Sequence, residues 1–186
     1  MKKILITILL ALILATGSVF ADHPKGFGIG ITGNYGIGWG GAGTALALKF
    51  PGVPVFWTAN LGFDSDFTRI GITGDNYLID QKLASVLHWY LGLGGWFDYY
   101  SKKASWFGKE YYAASFGFGA RLPIGLSLQP VPILEVFLEA APSLGILIKT
   151  EAKYKDFLGF EHVWQESGTD FPAWGVPVVL GLRFWF

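Results

Sequence analysis

Apolar side chains fall on every second position through most of this chain, and the repeat is cleanest over its last thirteen residues, 174–186. The even positions there are Trp174, Val176, Val178, Leu180, Leu182, Phe184 and Phe186. The odd ones are Gly175, Pro177, Val179, Gly181, Arg183 and Trp185, a mixed set with one charge. A period of two is a β-strand, not a helix. About 9 to 11 tilted strand residues cross a bilayer, and an apolar face alternating with a small or polar one marks a transmembrane barrel strand. The competing structure is an edge strand of a soluble sandwich.

The same parity, carried back through the sequence, predicts seven further strands. They run over Gly26–Tyr35, Thr44–Phe50, Pro54–Phe63, a short segment around Ile70 and Ile72, Leu83–Phe97, Tyr111–Leu128 and Leu134–Ile148. Alternation fails near Gly74, Asp75 and Asn76, which predicts a bulge or an early end to the fourth strand. Pro123, Pro142 and Pro177 fall inside predicted strands, where each removes a ladder donor, so bulges or displaced strand limits are expected there. Short turns near Pro51, Asp80 and Pro130 alternate with longer loops around Gly40, Asp64, Ser105 and Gly159, the last spanning 149–172. That rhythm is an up-and-down barrel of eight antiparallel strands crossing a membrane, with both termini on the periplasmic side.

Composition excludes the main alternatives. Mean hydropathy is +0.41 and aromatic residues make up 17%, high for a soluble secreted domain. The most apolar stretch past the N-terminus, Val131 to Ile148, carries Glu135, Glu139 and Pro142, which a lipid-embedded helix tolerates poorly. In a strand both glutamates share one face. Met1, Lys2 and Lys3 followed by an apolar run to about Thr16 and then Ser18, Val19, Phe20 and Ala21 form a secretory signal, with cleavage expected after Ala21 and the barrel domain over 22–186. There is no cysteine, which removes disulfides and thiolate metal sites. Near-neutral charge argues against nucleic acid as a partner.

An eight-stranded barrel is just wide enough for side chains to fill it. Parity places Lys49, His88, Arg121, Glu135, Glu139 and Arg183 inside. Arg121 sits on the strand next to Glu135 and Glu139, so ion pairs between them are expected, because buried charge is tolerated only when paired. This cluster reads as structural, with a gate or ligand site as the sharper alternative. Chemistry elsewhere is thin. Ser85 and His88 have opposite parity, and His23 and His162 are scattered, so neither a serine–histidine pair nor a metal site is expected. The glycine-rich run 36–43 has no lysine and no following helix, which excludes a phosphate loop. Trp96, Tyr99, Tyr100, Trp106, Phe107, Tyr111 and Tyr112 suit an interfacial girdle. Lys102, Lys103 and Lys109 among them suit anionic headgroups or an acidic ligand.

The ending, with Phe186 preceded by Phe184, Leu182, Leu180 and Val178, resembles the closing strand of bacterial outer-membrane barrels, which assembly machinery reads in that family. Three internal stretches are similar to small outer-membrane proteins, found for example in spirochaetes, grouped with the OmpA- and OmpX-type barrels. They are Tyr90 to Gly95, Gly119 to Gly125 and Glu135 to Pro142. The resemblance implies a closed eight-stranded barrel with a polar, bonded interior, but no single activity, since members of such families stabilise the envelope, bind host factors or pass small solutes. No peptidoglycan-binding domain follows Phe186, so an envelope-tethering role is not expected.

The expected protein is therefore a monomeric outer-membrane barrel without cofactor or catalysis, acting structurally or as an adhesin-like binder through external loops. Its expected partners are outer-membrane lipid, the barrel-assembly machinery and a host or extracellular ligand. A narrow pore for small or apolar solutes and a lipid-modifying enzyme are the rivals.

Overall fold

The computed structural model describes residues 26–38, 41–63, 67–106, 109–155 and 161–186. The expected leader, 1–21, lies outside the described residues. Among those described, the strands are β1 (Gly28–Gly38), β2 (Ala42–Lys49), β3 (Val55–Phe63), β4 (Phe67–Lys82), β5 (Leu87–Trp106), β6 (Lys109–Arg121), β7 (Ile124–Val131), β8 (Leu134–Ala140), β9 (Ser143–Lys149), β10 (Ala152–Lys155), β11 (Glu161–Gln165) and β12 (Gly168–Trp185). Neighbours pair antiparallel in chain order, and β12 returns to β1 in register from Gly28↔Trp185 to Gly38↔Gly175, which closes the sheet into a barrel. Closure leaves the described barrel wall without an edge strand, the condition for a sheet in lipid.

β6 and β7 form one crossing of the wall, and β8 and β9 another. Register shows this directly. Gly94↔Arg121 and Leu91↔Ile124 belong to one ladder against β5, and Arg121↔Ser143 and Ile124↔Ala140 to one ladder between the two crossings. With β1 to β5 and β12 these make eight crossings, the number and order that parity predicts. The breaks fall at Pro123 and Pro142, which have no N–H to give. Their carbonyls still accept, from Gly92 N–H at 2.7 Å and Leu122 N–H at 2.9 Å, and Pro177 accepts from Ala141 N–H at 2.9 Å. The prolines therefore interrupt the ladder without shifting it, which corrects the expectation of bulges or displaced limits.

The irregularity of the fourth strand lies further along than expected. β4 runs unbroken past Gly74, Asp75 and Asn76, and its register against β5 shifts between Tyr77 and Ile79. One extra residue, Leu78, reverses the parity. Asp75 and Tyr77 point inward from odd positions, whereas Asp80 points inward from an even one.

Two expected loops are largely strand. β5 and β6 continue as a paired hairpin, from Phe97↔Phe118 to Trp106↔Lys109, across most of the expected loop 98–110. Within 149–172, β10 and β11 form a separate two-stranded hairpin, and β12 already begins at Gly168. Polar residues hid both, because outside the bilayer a strand no longer needs an apolar face.

The radial arrangement inverts that of a water-soluble core. Leu46, Leu61, Ile70, Phe97, Phe118, Leu138, Leu144, Leu180 and Phe184 are exposed, while Lys49, Arg69, Asp75, Asp98, Glu135 and Arg183 are buried. Only lipid around the wall makes that distribution favourable. Inward glycines make room for the charges. A Cβ on Gly94 would overlap Asp75 Oδ1, and one on Gly71 would overlap Asp98 Oδ1. Gly94→Val is expected to destabilise the barrel by about 1–3 kcal/mol through overpacking. Urea unfolding in detergent measures it, and an unchanged midpoint would mean that the Asp75 carboxylate has another place to go.

Candidate functional site

The inward faces of eight crossings converge on a lumen filled in layers. At the end carrying the chain termini, Glu135 accepts from Arg183 Nη1 and from Trp185 Nε1, both at 2.9 Å. The Arg183 guanidinium lies 4.7 Å from the Phe56 ring centre and 4.6 Å from that of Phe137, a cation–π sandwich. Phe56 stacks on Tyr77 at 4.2 Å and Tyr77 on Tyr90 at 4.3 Å, with Trp185 edge-on to Phe56. This row of rings crosses the lumen. At the same end His88 Nδ1 lies 3.2 Å from Asp80 Oδ1, and Lys49 Nζ donates to the carbonyls of Phe50 and Val53.

The middle layer centres on Glu139. It accepts from Arg121 Nη2 at 2.6 Å and from the Tyr90 hydroxyl at 3.0 Å, with the Tyr77 hydroxyl at 3.4 Å. Arg121 also faces Asp75, Nε to Oδ1 at 3.2 Å. Towards the other end, Arg69 Nη2 donates to Asp98 Oδ2 at 2.8 Å, and the Tyr100 hydroxyl donates to the same oxygen. Each of these arginines thus stands against a carboxylate, the arrangement that offsets the cost of removing both charges from water.

All six ionisable residues assigned inward by parity are buried here: Lys49, His88, Arg121, Glu135, Glu139 and Arg183. One expected pairing is corrected. Glu135 bonds Arg183 on β12, not Arg121, because Arg183 is its direct register partner, while Arg121 reaches Glu139. Among the described residues the lumen holds four further charges, Arg69, Asp75, Asp80 and Asp98, that parity did not assign. The first three lie on β4, whose alternation changes phase at Leu78, and Asp98 lies on the part of β5 read as loop. Counting inward positions separately on either side of the bulge would have found the three on β4.

The aromatic girdle divides. Trp96 is buried inside the barrel rather than at the interface, against Gly117 and Gly145, and Tyr100 turns inward to Asp98. Tyr99 lies beside Phe116 at 5.2 Å, and Tyr112 is exposed. Phe107 and the side chains of Trp106 and Lys109 lie outside the described residues; Lys102, Lys103 and His162 are exposed. Val178, Leu180, Leu182, Phe184 and Phe186 line the outer face at the closing seam, where Phe27 and Phe186 exchange backbone hydrogen bonds at 3.0 and 2.8 Å.

A closed eight-span antiparallel barrel with an apolar outer band and an ion-paired interior is the fold of the small outer-membrane β-barrel proteins, and this chain has it. Solved structures of that class resemble it. A major outer-membrane protein of Thermus thermophilus aligns over 87% of this chain and 98% of its own, with 14% identity and a TM-score of 0.53. The N-terminal β-barrel domain of Pseudomonas aeruginosa OprF aligns over 87% and 98%, with 9% identity and a TM-score of 0.49. Neisserial surface protein A aligns over 86% and 96%, with 11% identity and a TM-score of 0.44. Identities this low speak for the fold alone. No known protein family and no curated protein sequence matches the chain.

Proposed function

We propose that this protein is a non-conducting, non-catalytic barrel whose work is done at the end opposite its termini, as a structural or adhesin-like surface element. The filling of the lumen carries this reading. Between the aromatic row and the Arg121–Glu139–Asp75 layer lies a cavity of about 20 Å³, room for about one water and not for a permeating solute.

The described strands at the outward end are held by hydrogen bonds. The β5–β6 hairpin is paired as far as Trp106↔Lys109 and exposes Lys102 and Lys103. The last long connection is tied to the wall at one carbonyl, Ala114 O, which accepts from the Thr150 N–H, the Thr150 hydroxyl and the Gln165 amide at 2.9–3.0 Å. Strands held in this way lose less entropy on binding. Lipid hydrolysis is disfavoured because His88 is buried in the lumen on Asp80, while Ser85 lies in an exposed turn.

In a planar bilayer the refolded protein is expected to give no steady conductance steps. Steady ohmic steps from the wild-type chain would replace this reading with the narrow pore. Membrane lipid that changes on expression of the wild type, and no longer changes with His88→Ala, would replace it with the enzyme.

A further inference from the structure

The β5–β6 ladder runs without a shift from Gly94↔Arg121 to Trp106↔Lys109, so parity still decides which side of the projecting hairpin each residue takes. Phe97, Tyr99, Ser101 and Lys103 share the outer face. Asp98, Tyr100 and Lys102 take the opposite face, that of the lumen and its mouth. Two adjacent lysines that read as one basic patch are thereby divided by the wall, and only Lys103 belongs to the side that carries lipid.

Three cross-strand pairs follow one another up that outer face. Tyr99 and Phe116 stand opposite each other above Phe97 and Phe118, with ring centres 5.2 Å apart. Ser101 and Ala114 come next, both half-buried, and then Lys103 and Tyr112, both exposed. Small side chains between two pairs of large ones leave a notch, with rings below it and a cation beside a phenol above it. Lys103 lies four residues past Tyr99, about 13 Å along the strand, and its flexible stem reaches back over the notch. Thr68, exposed on β4, adds a hydroxyl opposite Ser101.

The border between apolar and polar side chains on an outer wall is the level of lipid headgroups. Here it is lined by an ammonium and by the hydroxyls of Ser101, Tyr112 and Thr68, all able to donate. A phosphate ester brings a negative charge and several acceptor oxygens, and lysine binds phosphate as a point charge. The apolar wall directly beneath takes the acyl chains of the same molecule. An acidic protein segment would have to displace lipid from that wall to reach the notch.

We propose that the notch over Ser101 and Ala114 is a binding site for the phosphate of a membrane lipid, in the leaflet on the side away from the chain termini, with Lys103 as its counter-charge. The site belongs to the outer wall and does not depend on whether the lumen conducts.

Native mass spectrometry of the refolded chain, carried in detergent micelles doped with one lipid at a time, counts the lipid that stays bound. Dioleoyl phosphatidic acid is expected to be retained; dioleoylglycerol, with the same chains and no phosphate, is not. Lys103→Gln should weaken retention of phosphatidic acid by about tenfold, the worth of one charged hydrogen bond. Lys102→Gln removes the same charge from the opposite face and should leave retention unchanged. Ser101→Leu fills the notch with Lys103 in place and should lose the lipid too, whereas Lys103→Arg should keep it. All these positions lie outside the lumen ion pairs described above, and heat-modifiable mobility checks that each variant folds. Equal retention of the two lipids, equal losses from Lys102→Gln and Lys103→Gln, or wild-type retention by Ser101→Leu overturns the site. Displacement of the lipid by inorganic phosphate would make the ligand a free anion instead.

Discussion

Glu139→Ala is expected to destabilise the folded barrel by about 3–5 kcal/mol, the cost of leaving a buried charge without its partner. Glu139 is the common acceptor of Arg121 and the Tyr90 hydroxyl, so its loss exposes a buried guanidinium and a buried phenol to unmet demand together. Asp75 remains 3.2 Å from Arg121 and sets the lower end of that range. Glu139→Gln keeps the shape and an acceptor but not the charge, and should fall between wild type and alanine. Urea titration of the refolded protein, followed by heat-modifiable gel mobility, reads the difference. An unaltered profile would mean that Asp75 alone satisfies Arg121. The aromatic row persists in this variant, so conductance should stay silent even as stability falls.

Glu135→Ala is expected to cost a similar amount, about 3–5 kcal/mol, by a route that a double-mutant cycle can separate from simple cavity formation. Glu135 is fully buried and is the acceptor for both Arg183 and Trp185. Removing it alone strands a cation held between Phe56 and Phe137. Replacing the pair together, Glu135→Leu with Arg183→Met, removes both charges and keeps most of the volume. Such exchanges are often neutral or stabilising. The double variant should therefore be more stable than the sum of its single changes by about 0.5–3 kcal/mol. Strict additivity would mean that packing of the Arg183 stem, not its charge, holds this end of the barrel.

Much of this architecture is legible from parity because lipid on one side and a narrow lumen on the other impose it residue by residue. Val178, Leu180, Leu182 and Phe184 alternate with Gly181 and Arg183, and that alone tells which way each points. Where the physical demand relaxes, legibility fails. The β5–β6 hairpin beyond Phe97 needs no apolar face, so Asp98, Tyr100 and Lys102 read as loop although they are paired strand. Leu78 adds one residue to β4, and a single phase change concealed Asp75 and Asp80.

The number of crossings, their antiparallel order and the inward placement of Lys49, His88, Arg121, Glu135, Glu139 and Arg183 follow from the order of residues alone, since alternation is a local property of the chain. Which charge meets which follows from the closed barrel. Arg121 and Glu135 lie on adjacent crossings, yet closure of the barrel sets Arg183 opposite Glu135 and leaves Arg121 to Glu139 and Asp75. Partner choice inside a barrel depends on register and on side chains reaching across the lumen from crossings distant in sequence. Those relations exist only once β12 has closed on β1.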